Sequence, residues 1–109
     1  MRNYIGMNND KVIAKAYQRS CEFLGLDSEK VFKSYKVNDI SDLTEREKVK
    51  REVSLKIISI YRNLTAIVND NSKVWMNSIN LYFNAVPVEV IYAGQLDKVA
   101  GYLENALGN

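Results

Sequence analysis

Few residues of this chain have the types and spacing that chemistry needs. There is no histidine, which removes the commonest general base, the usual nucleophile–base triads and most zinc sites. One cysteine, Cys21, cannot form an internal disulfide or a Cys-x-x-Cys pair. Its neighbours Phe23 and Leu24 place it on an apolar helical side, where a thiol is buried and inert. Two acidic pairs remain, Asp39 with Asp42 and Glu45 with Glu47. The second pair sits at an expected helix start, where carboxylates complement the helix dipole. No Gly-rich phosphate loop is present. These residues give catalysis no support, and no catalytic residue, metal or cofactor is expected.

The elements around them read as all-α. A chain of 109 residues is one domain's worth, and at that size a single core is thin enough that a covering partner helps. Hydrophobic residues make up 47% of it, interrupted by one Pro and five Gly, which is neither disordered nor fibrous composition. No stretch is long and apolar enough for a bilayer, and the first ten residues lack the apolar run of a signal peptide. With a lone cysteine, the expected setting is cytoplasmic, with no membrane partner.

Residues 1–9 read as a ragged lead-in. Val12, Ala16, Tyr17, Cys21, Phe23 and Leu24 mark one helical face from Asp10 onward, closed by Gly25. Asp27 or Ser28 caps a second helix carrying Val31, Phe32 and Tyr35. Thr44-Glu45-Arg46-Glu47 reads as a capping box that starts the clearest helix, with Val49, Val53, Ile57, Ile60, Tyr61, Leu64 and Ile67-Val68 at steps of three and four. Asn71 or Ser72 then caps a helix holding Val74, Trp75 and Ile79 and extending to Tyr82-Phe83. Pro87 suits the first position of a short helix. Residues 86–92 have strand-like composition, but without a pairing partner helix is favoured. Gly94 ends it, and Leu96 to Leu107 forms the last helix, closed by Gly108. The expected architecture is a compact bundle of about six helices.

Charge divides the chain. Residues 1–55 hold eleven Lys/Arg and nine Asp/Glu, whereas residues 56–109 hold four of each. A charged front is a solvated face; a back half poor in charge combines core with a covered interface. Residues 10–43 also have helix-turn-helix spacing, with Lys30, Lys33, Lys36 and Asn38 as candidate DNA contacts. The stretch where a recognition helix belongs, Asp39-Ile40-Ser41-Asp42-Leu43, is short and acidic, and phosphate repels acids. The motif therefore reads as degenerate.

The order of residues in the back half is the most specific feature. Trp75 is followed by Asn80, Pro87 and Ile91, then Leu96-Asp97-Lys98-Val99 and Tyr102-Leu103. Upstream lie Cys21-Glu22-Phe23-Leu24-Gly25-Leu26 and an aliphatic run ending Tyr61-Arg62-Asn63-Leu64. Taken jointly over residues 12–107, this order resembles the Xre/MbcA/ParS antitoxins, although Asn84-Ala85-Val86 stands where that family often has a Gly-rich turn. The resemblance implies a helix-turn-helix region over 1–43 and a toxin-binding region over 44–109 in one compact unit. It implies an antitoxin of a type II toxin–antitoxin system. The partner would be a RES-domain toxin that degrades NAD, blocked sterically by the C-terminal helix and tail. Homodimerisation and autoregulation through operator DNA are further implications. Candidate toxin contacts by this carry-over are Tyr102, Glu104, Asn105, Gly108 and Asn109, with Trp75, Asn80 and Pro87 setting the fold. Trp75 is expected in the core with its indole bonded to backbone, and Asn80 as a helix cap or bridge. The alternative is a helix-turn-helix transcription regulator without a toxin partner.

Overall fold

The helix boundaries follow from where the chain finds caps. A computed structural model describes the backbone of residues 2–108 and the side chains of residues 10–108. The described chain is all-α in class, with helices α1 (Arg2–Leu24), α2 (Ser28–Ser34), α3 (Leu43–Val68), α4 (Ser72–Met76), α5 (Pro87–Tyr92) and α6 (Leu96–Ala106). No helix among the described residues is long and apolar enough to cross a membrane.

Helix α1 begins at Arg2 rather than near Asp10; only Gly6 opposes helix there, and one glycine costs about 1 kcal/mol. The helix stops at Gly25, whose φ is +75°. The Leu26 N–H donates to the Cys21 carbonyl at 2.8 Å and the Gly25 N–H to that of Glu22 at 3.3 Å. This paired closure needs a left-handed residue, which glycine adopts without a Cβ penalty. Gly94 repeats the device after α5, with φ +79° and with Gln95 N–H on the Val90 carbonyl at 3.1 Å.

Asp27 caps α2, its carboxylate accepting from the Glu29 and Lys30 amides at 3.0 and 3.2 Å. The long helix α3 opens two residues before the expected capping box. Asp42 is the N-cap and accepts from the Glu45 amide at 3.1 Å, so Thr44 lies inside the first turn. Aspartate is the stronger cap and its charge suits the dipole. The acidic pairs are thereby structural: Asp39 ends a 3-10 turn, Asp42 caps, and Glu47 pairs with Lys50 at 3.9 Å. Pro87 takes the first position of α5 as its missing N–H allows.

The core forms where Val53, Ile57, Ile60 and Leu64 of α3 meet Tyr17, Cys21 and Leu24 of α1 and Leu96, Val99 and Leu103 of α6. Val12 and Phe23 leave the expected α1 stripe and face solvent; Phe23 stacks on Tyr61 with centroids 5.1 Å apart. Two long-range hydroxyls stitch the bundle. Tyr92 accepts from the Asp27 N–H at 2.9 Å. Tyr35 accepts from the Leu96 N–H at 2.9 Å, supplying the cap that Gln95 lacks at the start of α6. Lys56 and Asp97 tie α3 to α6 at the surface.

Cys21 is buried among these helices, and burial pushes its thiol from 9.0 up to about 11. Tyr17 shifts upward for the same reason, with its hydroxyl donating to the Ser28 carbonyl at 2.7 Å. Both groups stay protonated in the fold while an unfolded chain would release their protons. The Cys21 contribution is intact below about pH 9 and is lost as pH rises toward 11, whereas that of Tyr17 begins to fall only above about pH 10. For Cys21 alone this amounts to on the order of 2 kcal/mol. The unfolding temperature should therefore hold steady from pH 7 to about 9 and fall beyond it, less steeply in Cys21→Ala. A thiol reagent such as Ellman's should label Cys21 only at the rate of unfolding; fast labelling of the folded protein would contradict its burial.

Candidate functional site

Helix α4 is five residues long, and its brevity creates the site. The expected helix to Tyr82-Phe83 does not form. Asn77 Nδ2 donates to the Lys73 carbonyl at 2.8 Å and Ser78 Oγ to the Val74 carbonyl at 2.6 Å, local side-chain bonds that compete with continuation of the helix. At the start of α4 neither expected cap operates: Asn71 makes no side-chain cap bond, and Ser72 Oγ donates back to the Asn69 carbonyl at 3.3 Å.

Asn80 is a turn residue, not a helix cap. Its backbone pairs with Ala85 in a single antiparallel bridge, 3.0 Å in one direction and 3.4 Å in the other. Its side-chain oxygen accepts from the Tyr82 amide at 2.8 Å, an Asx turn. Asn84 closes the loop at φ +54°, a left-handed conformation that asparagine tolerates. The result is a tight loop that presents Leu81 and Tyr82 outward, 91% and 71% exposed, with Val74 and Ile79 also exposed beside it.

Tyr102 of α6 is the hub of the surface. Its ring lies 4.8 Å from Tyr82, 5.3 Å from Phe83 and 6.2 Å from Trp75, centroid to centroid. Trp75 is thus part of this half-buried aromatic cluster rather than a fully buried core residue. Its indole makes no hydrogen bond among the described residues. A loop that lays two aromatics on Tyr102 leaves room for Trp75 only at the rim of the core. Next to the cluster, Tyr82, Phe83, Ala85, Val90, Gln95 and Lys98 line a cavity of about 380 Å³. No charged residue lies between Lys73 and Glu89, so the loop is an uncharged surface carrying aromatic side chains.

The sequence-derived toxin contacts divide between two stripes of α6. Tyr102 and Asn105 continue the line of Gln95 and Lys98 at steps of three and four, beside the aromatic loop. Glu104 lies on the adjoining stripe with Gly101, and Gly108 follows the end of the helix at φ +79°; both are exposed. Asn109 lies outside the described residues. Leu107, expected in the apolar stripe, follows the end of the helix and is partly exposed. Ile79, Leu81, Tyr82, Phe83 and Lys98 belong to the site and were not singled out for it from sequence; the charge-free run after Lys73 was their signal.

The candidate DNA contacts have a different setting. Lys33, Lys36 and Asn38 are exposed, and the Lys30 ammonium sits 5.0 Å above the Tyr92 ring. Where a recognition helix belongs, the chain makes one 3-10 turn, Val37–Asp39. It then runs through Ile40, whose carbonyl accepts from Arg46 Nε at 2.9 Å. The helix that follows opens with Asp42, Glu45 and Glu47. Lys30 and Lys33 lie on the seven-residue α2, Lys36 and Asn38 follow it, and the next α-helix begins at Leu43.

The described residues form a small all-α fold with a solvent-facing aromatic surface at Tyr82, Phe83 and Tyr102. No family model, no curated protein and no solved structure matches the chain.

Proposed function

We propose that this chain is an antitoxin of a type II toxin–antitoxin system. It would bind a RES-domain, NAD-degrading toxin through the surface built on Tyr102, Tyr82, Phe83 and Trp75. The observation that carries the reading is the exposed aromatic loop stacked on Tyr102. Tyrosine and tryptophan at a solvent face supply large contact area for little lost side-chain freedom, and aromatic residues dominate binding energy at protein interfaces. The same surface holds Trp75, Asn80, Tyr102 and Asn105, which ties it to the residue order resembling the Xre/MbcA/ParS antitoxins. Inhibition would be steric, with α6 and the tail after it covering the route to the toxin's NAD pocket. Operator binding is a secondary proposal and rests on Lys33 and Lys36 alone.

Co-expression with the RES-domain protein encoded beside this chain tests the reading, with cellular NAD and complex formation followed together. NAD should be preserved and the two proteins should co-elute. Absence of such a neighbour, or NAD loss with the toxin free beside excess of this chain, would overturn it and put the DNA-binding regulator first. Removing residues 107–109 should leave the unfolding temperature unchanged, because Leu107 and Gly108 contribute no core. It should weaken neutralisation; equal protection by the truncated protein would remove the tail from the mechanism.

A further inference from the structure

Resting on the protein-binding reading above, we infer that the cavity beside the aromatic loop selects its partner by a carboxylate. Its occupant is a partner segment in which an apolar side chain is followed or preceded by Asp or Glu. Three observations converge. Phe83, Ala85 and Val90 give the cavity an apolar floor, and Tyr82 gives it an aromatic wall. Lys98 is the single charged residue lining it, and Gln95 adds an amide one turn away. Among the described residues Lys98 has no ion-pair partner, whereas the adjacent Asp97 is held by Lys56 on another face.

The surrounding composition makes that one charge decisive. Residues 74–88, which include the loop, carry no charge, and Lys98 is the one charged side chain among those lining the cavity, so it sets the electrostatic sign there. A lysine on a largely apolar rim favours an acidic partner and disfavours a basic one. Lys98 is one turn before Tyr102 on α6, so a side chain seated on the aromatic cluster lies within reach of its ammonium. The segment therefore places its apolar group in the cavity against Phe83, Ala85 and Val90 and its carboxylate on Lys98.

A phage-displayed random heptapeptide library, panned on the full chain and on Lys98→Glu, tests this. Lys98 is exposed in the first turn of α6, where a glutamate suits the helix dipole, so the variant keeps the fold. Wild-type selections should enrich Asp or Glu adjacent to Leu, Phe or Trp. The winning peptide should lose about tenfold or more in affinity on Lys98→Glu, retain it on Lys98→Arg, and weaken as salt rises. Its amide shifts should fall on Phe83, Ala85, Val90 and Lys98. Selections without an acid, no enrichment at all, equal binding to Lys98→Glu, or shifts at a separate groove between α1 and α3, lined by Asp10, Lys48 and Arg51, would each overturn the inference. The outcomes are separable from the toxin test. A RES complex insensitive to Lys98→Glu removes the carboxylate inference alone. Acidic peptides that bind at this cavity without any RES complex remove the toxin reading alone.

Discussion

Tyr82→Ala should weaken the proposed complex with a RES-domain toxin by about 30-fold or more while leaving the unfolding temperature within about 2 °C of wild type. The expectation follows from where the ring sits. Tyr82 is mostly solvent-exposed, so its removal takes little surface from the folded core, and exposed substitutions change stability by only about 0.5 kcal/mol. The turn that carries it depends on the Tyr82 backbone amide bound by Asn80, which alanine retains. In a complex the same ring would be buried against Tyr102 and Phe83, and truncating a central aromatic anchor costs about 2 kcal/mol or more. That corresponds to the 30-fold loss. Titration calorimetry of the variant against the toxin and a thermal melt of the free protein separate the two effects. Unchanged affinity would move the interface away from the loop. A melt lowered by more than about 8 °C would mean that the ring supports the fold instead.

Legibility in the sequence was highest where one residue decides the backbone. Gly25, Gly94 and Pro87 were read correctly because left-handed closure and an N–H-free first turn are local demands. The periodic faces of α3 and α6 were legible because a buried stripe repeats over several turns. The boundaries were less so: Thr44 and Glu47 have the pattern of a capping box, but Asp42 competes for the same amides and wins. The largest departure is residues 77–86. Val74, Trp75, Ile79, Tyr82 and Phe83 keep helical spacing, so periodicity continues the helix through them. Asn77 and Ser78 bond back onto α4, Asn80 builds a turn, and Tyr102 offers a ring to stack on. Two of those three effects are local and asparagine-based, and were visible in principle. The third joins positions twenty residues apart and was not. The Tyr35 hydroxyl that caps α6 is of the same non-local kind, as is the placing of Lys98 beside Phe83. The candidate site was therefore half legible: Tyr102 and Asn105 were named, but the loop that makes them a surface was not.

Leu103→Ala should cost about 2–5 kcal/mol of folding stability. Leu103 is 1% exposed and belongs to the stripe that seats α6 on α3. Losing it removes transfer energy and leaves a cavity that neighbouring Leu and Ile side chains fill only in part. A domain of this size has a total stability of about 5–15 kcal/mol, so the loss is a large fraction of it, and the melting temperature should fall by about 10 °C or more. The adjacent residue makes the experiment informative about function. Tyr102 is held in the aromatic cluster only because α6 is seated, so loosening the helix disorganises the surface without touching a contact residue. Binding measured well below the lowered melting temperature should recover toward wild type, since the remaining folded molecules carry an intact loop. Tyr82→Ala should show no such recovery at any temperature. If both variants lost affinity to the same extent under fully folding conditions, seating of α6 itself would be the feature recognised, and the aromatic loop would act as its brace.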